Sequence, residues 1–180
     1  MKILLKNANI LFPSQKIDKE KTDVLLIDGI ISKIGNLTKD DLKDVREFNL
    51  NGKLIVPGFF DMHVHLREPG REDEETVSSG CDSAANGGFT GIACMPNTDP
   101  AIDSAEVITL IKRKAAAHLV DVHIVAAATV GRKGEVISPM AELYENGAVG
   151  FSDDGVAIKT SAILRRALEY SKMFGTPVIE

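Results

Sequence analysis

Two histidines separated by one residue, His63 and His65, are the side chains whose type and spacing point most directly to chemistry. Side chains two positions apart on an extended strand lie on the same face, with Cβ atoms roughly 6 to 7 Å apart. Both imidazole rings can then reach one metal ion at zinc-to-nitrogen distances of about 2.0 to 2.1 Å. The pair therefore predicts a metal site, and the alternative is a surface strand whose polar side faces water.

The residues around the histidines alternate between apolar and polar types. The apolar face of the predicted strand consists of Phe60, Met62, Val64 and Leu66, and the polar face consists of Asp61, His63, His65 and Arg67. Strict alternation of this kind is typical of a strand with one face in the core. The whole polar face is then expected to point toward one site.

Charged residues next to the histidines can each be interpreted in two ways. Arg67 at the strand end suits an anion, because a guanidinium binds a carboxylate through two parallel hydrogen bonds, but a surface arginine in a local ion pair fits equally well. Asp61 either orients a metal ligand or makes a buried structural hydrogen bond. Glu68 is expected to pair locally or to face solvent.

Two later segments place polar side chains directly after predicted strands. Asn97 follows an apolar strand and offers both a donor and an acceptor to a substrate, unless Pro96-Asn97 is merely a turn. Asp153 and Asp154 follow another strand, and one of them could join the histidines as an anionic metal ligand. The alternative for these carboxylates is capping or a hydrogen bond that supports a ligand.

Composition and charge narrow the function classes. The chain has 180 residues, of which 44% are hydrophobic and 26% charged, with a formal net charge of −5. The acidic balance argues against nucleic acid as a partner, and no apolar run is long enough to span a bilayer. Cys81 and Cys94 show no pairing pattern, so we expect them to pack in the core of a cytoplasmic protein. His118 and His123 are expected to be structural.

Residues 1–53 contain short β-type runs separated by turns, and they predict a small β-meander. Asp28-Gly29 and Asn51-Gly52 are both typical of two-residue hairpin turns. The polar segment 36–44 is expected to be an insert in this β-subdomain.

From residue 54 to residue 180 the pattern changes to alternating strands and helices, about five strands and four helices in all. The first strand is expected over about Ile55–Leu66 and the first helix over about Glu74–Asn86. Asp103 and Glu106 indicate a capping box for the next helix, and Ser138-Pro139 the start of a short one.

The alternation predicts an α/β fold with a parallel sheet, either open or closed as an eight-stranded barrel. No G-x-G-x-x-G follows the first strand, which argues against an open nucleotide-binding sheet. A complete barrel takes roughly 250 residues, so about half of one fits in this region. Because the chain stops at Glu180 inside a strand, we expect it to be the front part of a longer protein.

Four segments together resemble one known family. They are residues 52–58 (GKLIVPG), residues 61–70 (DMHVHLREPG), residues 95–98 (MPNT) and residues 151–155 (FSDDG). With these segments the whole chain resembles the N-terminal portion of the dihydroorotases of the amidohydrolase superfamily, specifically the longer bacterial type. The resemblance implies a partial TIM-type (β/α)8 barrel with about five strands, together with a small N-terminal β-subdomain.

The resemblance also implies an activity and a set of site residues. The expected reaction interconverts dihydroorotate and N-carbamoyl-aspartate in pyrimidine biosynthesis, with one or two zinc ions. By the family pattern, His63, His65 and Asp154 are metal ligands, whereas Asp153 is not. His65, Arg67 and Asn97 match residues that bind the substrate, and a homodimer and association with a carbamoyltransferase are further expectations.

The family pattern also has parts that this chain does not contain. Two further histidine ligands and the catalytic aspartate, which moves the proton to the leaving nitrogen, are expected beyond Glu180. We therefore expect the full-length protein to be active and a protein ending at Glu180 to be inactive.

Two alternatives remain. A hydantoinase or allantoinase usually carries a carboxylated lysine as a bridging ligand, and no lysine stands in a matching place here. A non-catalytic dihydroorotase-like partner subunit would be expected to lose its metal histidines, and both are present.

Overall fold

The structure is a computed structural model that describes residues 1–180. The chain divides into two compact units, Met1–Pro57 and Gly58–Glu180. The division falls slightly after the predicted one at 53/54, because Leu54–Ile55 pairs with the first strand of the N-terminal sheet. The strand that carries the histidines accordingly begins at Phe59 rather than at Ile55.

The first unit is a five-stranded sheet. Its strands are β1 (Lys2–Phe12), β2 (Ile17–Ile27), β3 (Ile30–Ile34), β4 (Val45–Asn49) and β5 (Leu54–Ile55). The first three form an antiparallel meander. The hairpin turn predicted at Asp28-Gly29 is confirmed, with left-handed φ angles of 50° and 82° at its two residues.

The predicted hairpin at Asn51-Gly52 is wrong. β4 and β5 do not pair with each other; both run parallel to β1, along successive parts of the same edge. Asn51 and Gly52 do form a left-handed turn, with φ angles of 52° and 79°, and the Gly52 amide donates to the Asn7 carbonyl at 2.7 Å. The turn shifts the chain along the edge of β1 rather than reversing it, because β1 itself is irregular between Leu5 and Ala8.

The second unit alternates strands and helices. Its strands are β6 (Phe59–Val64), β7 (Phe89–Cys94), β8 (Asp121–Ala127), β9 (Ala148–Ser152) and β10 (Val178–Ile179). Its helices are α1 (Val77–Asn86), α2 (Ala105–Ala115), α3 (Met140–Glu145) and α4 (Ser161–Ser171). None of the helices is long and apolar enough to cross a membrane.

All five strands of this unit are parallel and lie in sequence order, β10-β9-β8-β7-β6. An open doubly wound sheet would reverse its strand order at a switch point, whereas a (β/α)8 barrel adds each strand beside the previous one. The expected partial barrel is therefore confirmed, and the open-sheet alternative is wrong.

The main core of the second unit lies where the helices pack on the sheet. It includes Val77 and Cys81 of α1, Ile108 and Ile111 of α2, and Phe151 of β9, all at 1% exposure or less. A smaller cluster contains Ala93, Met95 and Val125. Burying both faces of β7 and β8 explains why these strands are almost continuously apolar in the sequence.

The histidine-bearing strand departs from the strict alternation that its sequence suggests. Val64 and Leu66 belong to the core under the helices, but Phe60 and Met62 are exposed and line a separate apolar surface with Val125. The pairing of β6 with β7 shifts register between Asp61 and Val64. Because of this irregularity, Val64 and Leu66 face the opposite side of the sheet from Phe60 and Met62. The prediction that all four share one apolar face is therefore wrong.

Two helices begin later than predicted. α1 starts after Thr76 rather than at Glu74, because the Thr76 and Ser79 side chains cap each other's backbone amides. α3 has Pro139 at its N-cap rather than Ser138.

The capping box predicted for α2 is also wrong. Its N-cap is Ser104, and the Asp103 carboxylate instead accepts a hydrogen bond from the Gly131 amide at 2.7 Å. The Asp103 side chain therefore stabilises the loop after β8 and does not cap α2.

Candidate metal centre

His63 and His65 meet Asp154 at the ends of β6 and β9. His63 Nε2 lies 3.2 Å from Asp154 Oδ1, and His65 Nδ1 lies 3.8 Å from Asp154 Oδ2. One donor atom from each of these side chains lies within 4.8 Å of the other two. The predicted ligands are thus brought together, although they are separated by about 90 residues in the sequence.

These distances fit a bound metal ion. A tetrahedral zinc ion with bonds of about 2.1 Å would hold its ligand atoms about 3.4 Å apart. The 3.2 Å between His63 Nε2 and Asp154 Oδ1 is close to that value, and a donor atom of His65 lies within 4.8 Å of both. Because His65 Nδ1 contacts Asn97 at 2.8 Å, Nε2 is the His65 nitrogen that remains for an ion. Two imidazole nitrogens and a carboxylate oxygen are also donors that zinc accepts readily, so the residues present fit the ion.

The two adjacent aspartates have different surroundings. Asp153 is 1% exposed and accepts hydrogen bonds from the Thr129 amide, at 2.9 Å, and from the Thr129 hydroxyl. Asp154 directs its carboxylate to the histidines, while its carbonyl oxygen accepts from Arg132 Nη2 at 2.6 Å. Only Asp154 therefore faces the cluster, and Asp153 ties the end of β9 to the loop after β8.

The Asp61 side chain contacts the backbone of His63. Its carboxylate accepts a hydrogen bond from the His63 amide at 3.1 Å. Asp61 thus makes a structural hydrogen bond to the backbone, although its side chain is only half-buried.

Asn97, in the loop after β7, joins the cluster through His65. The Asn97 amide oxygen lies 2.8 Å from His65 Nδ1. The contact orients the His65 ring and leaves the Asn97 amide nitrogen as the group that can donate to a substrate. Asn97 therefore contacts one residue of the cluster.

Arg67 lies two residues beyond His65 in a left-handed backbone conformation, with φ of 59°. Its Nε is 3.3 Å from Glu74 Oε2, and Glu74 also pairs with Arg71. Arg67 thus makes a local ion pair. Because that pair uses Nε, the terminal nitrogens of its guanidinium are free to bind an anion.

The prediction that Glu68 pairs locally or faces solvent is wrong. Glu68 is 5% exposed rather than facing solvent, and its partners are the Val77 amide, at 2.9 Å, and the Lys114 ammonium. Lys114 is 46 residues away in the sequence, and no local pattern predicts that such distant charges meet.

The remaining histidines and cysteines lie outside the cluster. His118 Nδ1 is 3.2 Å from Asp82 Oδ1, and the His123 ring packs on Phe60. Cys94 is buried, and burial raises the pKa of its thiol to about 12. The group of possible metal ligands contains neither cysteine.

Comparisons with known proteins identify the family to which the chain is similar. A family model described as "Dihydro-orotase-like" matches residues 52–174. The dihydroorotase of Pelotomaculum thermopropionicum is 44% identical over 179 residues, which are 99% of this chain and 41% of that protein. The chain therefore spans about two-fifths of the length of this curated relative.

Solved structures share the fold at lower identity. An L-hydantoinase from Arthrobacter aurescens matches with a TM-score of 0.79 and 22% identity, over 98% of this chain and 39% of that one. A dihydroorotase matches with a TM-score of 0.64 and 16% identity, over 98% of this chain and 50% of that one. At these identities the likeness establishes the fold, whereas the residues matched by the family model include the whole cluster. This chain belongs to the dihydro-orotase-like family.

Proposed function

We propose that this chain carries the first part of the active site of a zinc-dependent dihydroorotase, which interconverts dihydroorotate and N-carbamoyl-aspartate. The supporting observation is the meeting of His63, His65 and Asp154 beside Asn97 and within two residues of Arg67. This constellation combines a metal-binding cluster with groups suited to a carboxylate. Relatives at 44% identity carry the name dihydroorotase.

The reaction adds water across one amide bond of the ring. The ring C–N bond breaks, the carbonyl carbon becomes a carboxylate, and the leaving nitrogen takes up a proton. Zinc, when bound, supplies Lewis-acid polarisation and lowers the pKa of a water molecule. His63, His65 and Asp154 would hold one ion, and elemental analysis counts the ions that bind.

The other residues bind and orient the substrate. The Arg67 guanidinium binds the substrate carboxylate through its terminal nitrogens, and the Asn97 amide nitrogen donates to the same group. The contact between Asn97 and His65, at 2.8 Å, links this carboxylate site to the metal ligands. The ring amide is thereby held beside the metal ligands.

The test is a substrate panel with the complete protein that contains this chain. We expect turnover of dihydroorotate in zinc-loaded protein to exceed turnover of hydantoin and allantoin by at least about a hundredfold, because the latter lack the carboxylate that Arg67 would bind. Preference for hydantoin or allantoin would contradict the proposal and favour the rival cyclic amidohydrolases.

Metal content separates the proposed enzyme from the alternative, a non-catalytic partner subunit. Elemental analysis of the complete protein should find at least one zinc ion per chain, since the ligand candidates are present and assembled. A metal-free, inactive complete protein would favour the partner interpretation. Formation of a homodimer and association with a carbamoyltransferase remain predictions, which size-exclusion chromatography with and without the transferase would examine.

A further inference from the structure

The loop after β6 contains a buried carboxylate that the proposed reaction does not use. Glu68 follows Arg67 directly, and its side chain is 6% exposed. It accepts a hydrogen bond from the Val77 amide at 2.9 Å and pairs with the Lys114 ammonium. A carboxylate withdrawn from water requires such partners, and here they come from two different helices.

Those partners connect the loop to rigid elements. Val77 is the first residue of α1, where free amides favour a negative charge. Lys114 lies in the last turn of α2. Leu66, one residue before Arg67, packs so closely on α1 that a Cβ at Gly80 would lie 2.4 Å from its Cδ2. The loop is therefore fixed to both helices immediately beside Arg67.

Arg67 needs this support because of its backbone. Its φ of 59° lies in the left-handed region, which side-chain-bearing residues avoid and which persists only where the surroundings impose it. The Arg71 amide donates to the Arg67 carbonyl at 3.0 Å, and the Asp99 amide donates to the Pro69 carbonyl at 2.9 Å. With the contacts of Glu68, these bonds determine where the Arg67 guanidinium projects.

We propose that Glu68 and Lys114 are positioning residues that hold Arg67 in place for recognition of the substrate carboxylate. The inference rests on the proposed function and deepens it. Neither residue contacts the metal-ligand cluster; both act through the backbone of the loop. Lys114 in particular lies on a helix that contributes no other group to the site.

The test uses the complete protein and the variant Lys114→Met, which removes the cation and keeps the aliphatic stem. Orotate, a related ring carboxylate, serves as the binding probe. We expect the KM for dihydroorotate and the Kd for orotate both to rise about tenfold. The value of kcat should stay within about twofold, because a loss of binding that is equal for the substrate and the transition state raises KM alone. Zinc content should not change.

Two further variants separate positioning from general damage. Lys114→Arg restores a cation of similar reach and should recover most of the affinity for orotate. Arg113→Met removes the neighbouring exposed charge on α2, and it should leave KM and Kd unchanged. Should Lys114→Met fail to fold, Glu68→Gln keeps an acceptor for the Val77 amide and is expected to show the same rise in KM.

The outcomes are distinguishable from failure of the proposed function. An active wild-type protein whose Lys114→Met variant, or Glu68→Gln in its place, binds orotate normally would overturn the positioning role alone. A fall in kcat with unchanged KM would overturn it as well. A wild-type protein that neither opens dihydroorotate nor binds orotate would contradict the proposed function itself, and with it the substrate that Arg67 is held for.

Discussion

Asp153 and Asp154 are chemically identical neighbours, yet one lies against the loop after β8 and the other against two histidines. The difference arises just after β9 ends at Ser152, where Asp153 lies against Thr129 and Asp154 lies in the turn that follows. Asp153 meets only Thr129, which is fully buried, whereas Asp154 is partly open to the cluster. A structural role and a ligand role can therefore be separated by single substitutions.

We expect Asp153→Ala to lower the free energy of unfolding by about 2 to 3 kcal/mol, because it leaves the buried amide and hydroxyl of Thr129 without their acceptor. Asp154→Asn is the matched control and should change stability by less than about 1 kcal/mol while it weakens zinc binding. Chemical denaturation of the complete metal-free protein measures both. Equal stability losses in the two variants would contradict this assignment.

The pKa of Cys94 gives a prediction about pH. Burial raises the pKa of its thiol from 9.0 to about 12, so folding favours the neutral form. The corresponding stability is fully present below pH 9 and is lost as the pH rises from 9 toward 12. Iodoacetamide at pH 8 should leave Cys94 unmodified in the native protein and alkylate it after denaturation. Rapid alkylation of Cys94 under native conditions would show that the thiol is accessible and ionised.

At the scale of elements, the loops that carry Arg67 and Asn97 are joined to each other by their backbones. The Asp99 amide donates to the Pro69 carbonyl at 2.9 Å. Gly70 has φ of 107°, and a Cβ there would lie 2.3 Å from the Asp99 carbonyl oxygen. Close backbone approach at this position requires glycine.

Gly70→Ala is therefore expected to cost about 2 to 4 kcal/mol of stability, from backbone strain and from the contact with Asp99. Gly175→Ala is the control, since Gly175 also has positive φ, 67°, but a Cβ there would meet nothing within 4 Å. That variant should lose about 1 to 2 kcal/mol, from backbone strain alone. Thermal denaturation of both variants compares them, and equal losses would show that the approach of the two loops is unimportant.

Elements that depend on local patterns were predictable from the sequence. The parallel strands of the second unit and the turn at Asp28-Gly29 follow from hydrophobic periodicity and from residues that tolerate positive φ. Parallel strands bring their carboxyl ends to one edge of the sheet, so the sequence predicts that one of Asp153 and Asp154 meets the two histidines. The choice of Asp154 came from the resemblance to the family.

What the sequence could not predict depends on distant contacts. The pairing of Glu68 with Lys114 joins residues that no helix or strand period relates. The parallel pairing of β4 and β5 with β1 and the irregularity within β6 depend on which backbone groups form hydrogen bonds in the folded sheet. The N-caps of α2 and α3 were missed by one residue each, because neighbouring polar or proline residues compete for the same position.

At the scale of the whole molecule, the chain spans about two-fifths of its curated relative. His63, His65 and Asp154 supply three ligand atoms to one cluster, whereas a catalytic zinc site commonly also requires a group for proton transfer. We expect the 180-residue polypeptide, purified alone and supplied with zinc, to show no measurable ring opening of dihydroorotate. The complete protein assayed in parallel is the control, and turnover by the shorter polypeptide would contradict this expectation.

The most direct test of the proposed centre is the rate of dihydroorotate ring opening by the complete protein and by its His63→Asn variant, with zinc content measured on the same samples. Loss of a ligand should remove most of the bound zinc and lower the rate by at least about a thousandfold, which corresponds to about 4 kcal/mol of transition-state stabilisation. The wild-type protein should contain at least one zinc ion per chain. A His63→Asn variant that keeps both the zinc and the wild-type rate would contradict the assignment of this cluster as the metal centre of the enzyme.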